Sequence, residues 1–216
     1  VEERLKGKPL AYLIGKKGFW KNSFIVTPDV LVPRPETETL VDAILKENLQ
    51  GKTLLELGTG SGAISISIAQ ENKDCFIFAT DISIKSILVA KQNAAKFFCE
   101  NIIFLNHDWN NEWLFPQVDY LISNPPYVDK EATSGKEEGI WHEPEIALFS
   151  KDKGLSDLKL ILSKGKNFLN ENGKVYLEHA PDQYEELNKF AMENGYLNFS
   201  NLNDLNGDKR VSIYQC

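Results

Sequence analysis

The sequence predicts an α/β domain built on a mostly parallel sheet with helices on both faces. Three observations predict it. Short apolar runs alternate with stretches of helical periodicity, as strand–helix–strand units require. Several of these runs are apolar throughout, the pattern of strands covered on both faces. A glycine-rich turn, Gly58-Thr59-Gly60-Ser61-Gly62, joins the first such run to a helix.

The strands are read at Thr53–Leu57, Phe76–Thr80, Ile102–Asn106, Tyr120–Ser123, Lys174–Glu178 and Val211–Tyr214. A helix from about Ser83 sets Ile84, Ile87, Leu88, Ala94, Ala95 and Phe98 on one face. Another opens on Asp182-Gln183-Tyr184-Glu185, which has capping-box spacing, and stops near Asn194-Gly195. A third runs from about Gly154 to Leu169 and repeats Leu155, Leu158, Leu162 and Phe168. Two regions break the alternation. In residues 1–35, Tyr12-Leu13-Ile14-Gly15, Phe24-Ile25-Val26 and Val30-Leu31-Val32 read as a short β-hairpin followed by an extended segment. Residues 128–153 are polar, contain glycine and directly follow a strand, which places them over the carboxyl edge of the sheet, where ligands bind.

Composition narrows the class. A chain of 216 residues, 42% hydrophobic and 25% charged, suffices for one well-buried core. No apolar run approaches the roughly 20 residues of a membrane helix, and no signal-peptide core stands at the start, so no membrane association is expected. The chain starts at Val1 and is read as beginning inside a longer one. Cys75, Cys99 and Cys216 are odd in number and far apart, which fits a reducing, cytoplasmic setting. With His107, His142 and His179 equally scattered, no metal site is expected. A net charge of -7 argues against a domain that grips nucleic acid through its phosphates.

The glycine turn allows a ligand to approach the backbone and exposes the free N–H groups of a helix start. Its pattern also satisfies the dinucleotide fingerprint. Asp81 ends the next strand, where a carboxylate takes both hydroxyls of a ribose. Both features fit NAD and S-adenosylmethionine alike, so they indicate an adenosine ligand and no more. Asp108-Trp109, after the third strand, would accept from an adenine amino group and pack on its ring.

The decisive stretch is Asn124-Pro125-Pro126-Tyr127. Two prolines end the ladder and leave the Pro125 carbonyl without a strand partner. The Asn124 side-chain carbonyl stands beside it. Two adjacent acceptors match a planar –NH2 group, and Tyr127 supplies an aromatic face for the same group. An amide or aryl amine is a poor nucleophile. Drawing both its N–H bonds toward acceptors while aligning it with a sulfonium methyl favours in-line transfer. Hydride transfer has no use for such a motif.

The chain resembles the HemK/PrmC-type methyltransferases over nearly all its length. The resemblance rests on Pro9-Leu10-Ala11-Tyr12-Leu13-Ile14-Gly15, Val32-Pro33-Arg34-Pro35-Glu36-Thr37-Glu38 and Glu56 to Gly62. It continues through Asn124 to Tyr127, Glu143-Pro144 with Ala147-Leu148, Leu177-Glu178-His179, and Gly207-Asp208-Lys209-Arg210-Val211. It implies a Rossmann-like class I fold with a seven-stranded sheet behind a hairpin, divided as a 1–35 hairpin segment and a 36–216 catalytic domain. It further implies S-adenosylmethionine as cofactor and the glutamine of the Gly-Gly-Gln motif in peptide chain release factors as substrate. Glu56, Gly58, Thr59, Gly60, Ser61, Gly62, Asp81, Asp108, Trp109 and Asn124 would then hold the cofactor. Asn124, Pro125, Pro126, Tyr127, Arg34 and Glu36 would meet the substrate, and residues 129–153 would form the substrate-side loop. Such enzymes usually carry a helical domain before the hairpin, so part of the docking area for a release factor is expected outside this chain. The Asn-Pro-Pro-Tyr motif also serves nucleic-acid amino methyltransferases, the alternative reading. A non-catalytic adenosine-ligand sensor is a third, but it would not need amide-polarising acceptors.

Overall fold

The computed structural model describes residues 2–133 and 140–216, and part of the expected 129–153 loop lies outside that range. Two short helices, α1 (Glu2–Leu5) and α2 (Leu10–Ile14), precede a hairpin of β1 (Lys16–Phe19) and β2 (Asn22–Ile25). After them come α3 (Glu38–Leu45), β3 (Thr53–Leu57), α4 (Ala63–Glu71), β4 (Phe76–Asp81), α5 (Ile84–Lys96), β5 (Ile102–Asn106) and β6 (Val118–Ser123). The chain closes with α6 (Ser156–Gly165), β7 (Leu169–Glu178), α7 (Tyr184–Glu193), β8 (Asn198–Asn203) and β9 (Lys209–Gln215).

The larger sheet has seven strands in the order β5-β4-β3-β6-β7-β9-β8. It is parallel except where β9 pairs antiparallel with β7 and β8. The three apolar positions of β3, Leu54, Leu55 and Leu57, are fully buried because helices cover both faces of the centre of the sheet. From β3 the order runs outward through β4 and β5, and from its other neighbour, β6, through β7. The carboxyl ends of β3 and β6 therefore flank the point where the winding reverses, the standard ligand crevice of such sheets. The glycine turn follows β3 and Asn-Pro-Pro-Tyr follows β6.

Several local expectations are corrected. Tyr12-Leu13-Ile14 is helical, not the first arm of the hairpin. Gly15 ends α2 in the left-handed conformation, and its carbonyl accepts from Val26 as the strands begin. The inward face of α5 carries Ile87, Ala90, Asn93 and Ala94, while Ile84, Leu88, Ala95 and Phe98 are exposed. Asn93 is the reason: it is fully buried, accepts from Ile25 N, and donates to the carbonyls of Ile25 and Ser61. It stitches the hairpin to the glycine turn through a polar residue that an apolar count passes over. Helix α7 starts without a side-chain cap, because the Gln183 amide is spent on the Ala180, Tyr127 and Lys153 backbones. The hairpin itself joins the main core through Phe19 and Phe24.

Candidate active site

Segments at the carboxyl ends of four neighbouring strands, β3 to β6, enclose a cavity of about 310 Å³. Gly58 and Gly60 supply its floor, Asp81 one side, Asp108 and Trp109 another, and Asn124 with Pro126 the inner end.

The glycine turn is pulled tight from below. Gly58 N and Thr59 N both donate to the Thr80 carbonyl, at 2.9 and 2.8 Å. Glu56 lies beneath the turn and is almost fully buried, with Oε2 accepting the Thr59 hydroxyl at 2.7 Å. Burial pushes its carboxyl up to about 7, and among the described residues Oε1 has no hydrogen bond of ordinary geometry. Gly60 turns open space toward the cavity at φ +55°. A Cβ on Gly62 would stand 2.7 Å from Ile66, so that glycine serves the packing of α4 on α5. Of the turn residues expected to face a cofactor, Gly58 and Gly60 line the cavity, whereas Thr59 and Ser61 are buried and support it.

Asp81 holds the turn from the side. Its Oδ2 accepts Gly60 N at 2.9 Å and its Oδ1 accepts Ser83 N at 2.8 Å. Capping of α5 falls to Ser83, whose hydroxyl accepts from Ser86 N. Each carboxylate oxygen of Asp81 keeps one free lone pair, the complement of a vicinal diol. Trp109 lies against Gly58, and its Nε1 donates to Asp157 Oδ1 at 3.1 Å. The Ser150 hydroxyl donates to the other oxygen of Asp157. Asp157 and the wall formed by Asp29, Val30 and Leu31 were not picked out in the sequence, since nothing local distinguishes them. Four aspartates (Asp29, Asp81, Asp108, Asp157) line the cavity, and among the described residues no lysine or arginine does. A dinucleotide pyrophosphate would meet repulsion there. A cationic sulfonium nucleoside fits the same walls, and the space over Gly60 admits it.

At the inner end, Asn124 Nδ2 donates to Thr37 Oγ1 at 3.1 Å. The amide is thereby pinned with its donor side on Thr37 and its Oδ1 available to a ligand. Among the described residues no hydrogen bond ends on the Pro125 carbonyl. Tyr127 stands back from the cavity. Its hydroxyl donates to Glu178 Oε1 at 3.0 Å, and burial, followed by the Glu178 charge, raises its pKa. Its carbonyl receives Gln183 Nε2 at 2.9 Å, and the next residue, Val128, bridges to Phe149. Arg34, expected at the substrate channel, pairs with Glu143, whose other oxygen accepts Val32 N at 2.9 Å. Glu36 is half-buried in the turn before α3.

The family described as methyltransferase small domain matches residues 35–143. The release factor glutamine methyltransferase of Coxiella burnetii is 39% identical over 99% of this chain and 77% of its own length. That of Aliivibrio fischeri is 35% identical over 100% of this chain and 76% of its own. Among solved structures, a methyltransferase from Pyrococcus furiosus aligns with a TM-score of 0.66 at 20% identity, covering 89% of this chain and 87% of that one. A ribosomal protein L11 methylase from Lactobacillus delbrueckii aligns at 0.63 with 18% identity, covering 87% and 81%, which bears on the fold alone. On these identities and coverages, with the glycine turn and Asn-Pro-Pro-Tyr in adjoining loops, the chain belongs to the release factor glutamine methyltransferase family.

Proposed function

We propose that this chain transfers a methyl group from S-adenosylmethionine to the side-chain amide nitrogen of the glutamine in the Gly-Gly-Gln motif of peptide chain release factors. The observation that carries the reading is the pinned Asn124 amide at the inner end of an acidic nucleoside cavity. A primary amide entering there meets Asn124 Oδ1 and the Pro125 carbonyl, one acceptor for each N–H. The cofactor supplies an electrophilic methyl. The protein's part is to hold the nitrogen in line, to exclude water, and to stabilise the N–H bonds as their protons become acidic. A bound sulfonium would supply the methyl, its C–S bond breaking as the N–C bond formed, and the proton made acidic on the methylated nitrogen would then be lost to water while the two carbonyls hold the amide in place. No strong base is needed. In this reading Arg34, held by Glu143, and Glu36 would meet the substrate outside the cavity lining. Among the described residues no helix is long and apolar enough to cross a membrane, and the reading assigns the chain to the cytoplasm, where translation terminates.

Labelled-methyl transfer to release factor, DNA and RNA tests this directly. Label is expected on release factor and lost when its motif glutamine becomes alanine. Transfer to nucleic acid instead would favour the amino-nucleobase reading. The cofactor assignment has its own test. Asp81→Ala is expected to weaken S-adenosylmethionine binding by about 1–3 kcal/mol, as for hydrogen bonds to a charged group. Calorimetry that found unchanged affinity would move the ribose contact elsewhere.

A further inference from the structure

Lys164 stands in the last turn of α6, outside the cavity lining, and the chemistry above leaves it without a part. Its ammonium carries three donors and no acceptor. They reach three consecutive carbonyls, those of Trp109 at 2.8 Å, Asn110 at 2.8 Å and Asn111 at 2.9 Å. Three carbonyl oxygens gathered around one point repel one another unless a cation sits among them. Among the described residues no backbone N–H reaches the Asn110 or Asn111 carbonyl, so Lys164 is their partner. The turn follows β5, the edge strand of the sheet, where no outer neighbour can hold it.

We propose that Lys164 and Asp157, both on α6, position the Asp108–Asn111 turn as the wall that reads the base of the bound nucleoside. The proposal rests on the S-adenosylmethionine reading given above and adds two positioning residues to it. Asp157 and Lys164 lie seven positions apart on α6. That is two helical turns, so the side chains share a face about 10 Å apart along the axis. Asp157 holds the ring of Trp109 through its indole N–H, and Lys164 holds the backbone of the same residue. Leu158, Ile161 and Leu162 of the helix are fully buried, which ties both anchors to the core.

The base is read by what this turn offers. Asp108 lines the cavity beside Trp109. Its Oδ1 accepts from Asn110 N at 2.9 Å and Asn110 Nδ2 at 2.8 Å, while among the described residues no hydrogen bond ends on Oδ2. A carboxylate oxygen can only accept. It favours a base that presents an amino group, as adenine does, and repels one that presents a carbonyl at the same place. Such discrimination fades once the oxygen can swing away. Asn110, which fixes it, is itself fixed by Lys164 through its carbonyl. Trp113 adds a second brace, its Nε1 donating to the Trp109 carbonyl at 2.8 Å.

The test measures binding of S-adenosylhomocysteine and of its deaminated, inosine-containing counterpart by calorimetry, with turnover on a Gly-Gly-Gln peptide in parallel. In Lys164→Met the three carbonyls lose their cation. The adenosine ligand should bind about tenfold or more weakly, the scale of a lost hydrogen bond to a charged group, while the inosine ligand changes little. Turnover at saturating S-adenosylmethionine should hold, since uniform binding is lost rather than a transition-state contact. Lys159→Met is the control, because that lysine leaves the same helix toward Asp152 and Glu186, and both affinities should stay at wild type. Should Lys164→Met fold poorly, the Asp157 pair decides. Asp157→Leu removes the acceptor of the indole and should lose the base preference, whereas Asp157→Asn keeps one and should retain it. An unchanged adenosine-over-inosine preference in Lys164→Met would overturn the proposal, as would an equal loss for both ligands. The same loss in Lys159→Met, or equal preferences in the two Asp157 variants, would also overturn it. A wild-type chain that binds neither ligand would overturn the cofactor reading itself, and the proposal with it.

Discussion

Asn124→Ala is expected to cut methyl transfer by at least about a hundredfold while leaving S-adenosylmethionine affinity close to wild type. Removing the side chain deletes one of the two acceptors offered to the substrate amide, a loss on the scale of one charge-stabilising donor or acceptor in a preorganised site. The distinction lies in the split. A transition-state role lowers kcat and kcat/KM together, whereas a binding role raises KM with kcat intact. Single-turnover rates with saturating cofactor separate them. An Asn124→Ala enzyme that kept most of its turnover would leave Pro125 as the sole acceptor and end the two-acceptor account.

Gly154→Ala should be the most damaging single methyl group. Gly154 stands in the turn before α6 at φ +84°, and a Cβ there would lie 2.0 Å from the Tyr127 carbonyl oxygen and 2.6 Å from Gln183 Nε2. Both are rigid partners, since Gln183 clamps that carbonyl. Overpacking of this kind costs about 1–3 kcal/mol. A left-handed conformation adds about 1–2 kcal/mol for a residue with a side chain. A loss of about 2–5 kcal/mol in a denaturant titration is expected. Turnover should fall further than stability alone explains, because the clash pushes on the Asn-Pro-Pro-Tyr turn itself. Gly15→Ala is the control: it too has positive φ, but nothing within 4 Å of its Cβ, so only the backbone cost of about 1–2 kcal/mol applies. Equal stabilities for the two variants would show that the turn yields to the methyl group.

The features legible in the sequence are those set by neighbours in the chain. The apolar runs of β3, β4 and β6 could be placed because burial on both faces admits little else. The glycine turn and the double proline announce themselves through backbone restrictions. What escaped depends on distant partners. Strand β8, Asn198–Asn203, is polar and mostly exposed, and it exists because β9 offers it an edge. The inward face of α5 was misplaced because Asn93 owes its burial to Ile25 and Ser61. The groups that hold the Asn124–Tyr127 turn from behind, Thr37 on Asn124 and Glu178 and Gln183 on Tyr127, come from three separate segments that only the winding of the sheet brings together.

Glu143 ties together segments that the chain order keeps far apart. One carboxylate oxygen holds Val32 N and the other holds Arg34, so residues 30–31, on one wall of the cavity, share an anchor with residues 144–147 on the opposite wall. Neither wall can loosen without releasing a nearly buried charge from its partners, which is costly in such a setting. The two walls thus behave as a single jaw hinged on one carboxylate. On the proposed function, a nucleoside that steadied residues 30–31 would also act on residues 144–147 through this carboxylate, and by reciprocity a protein substrate that steadied residues 144–147 would raise nucleoside affinity by the same factor.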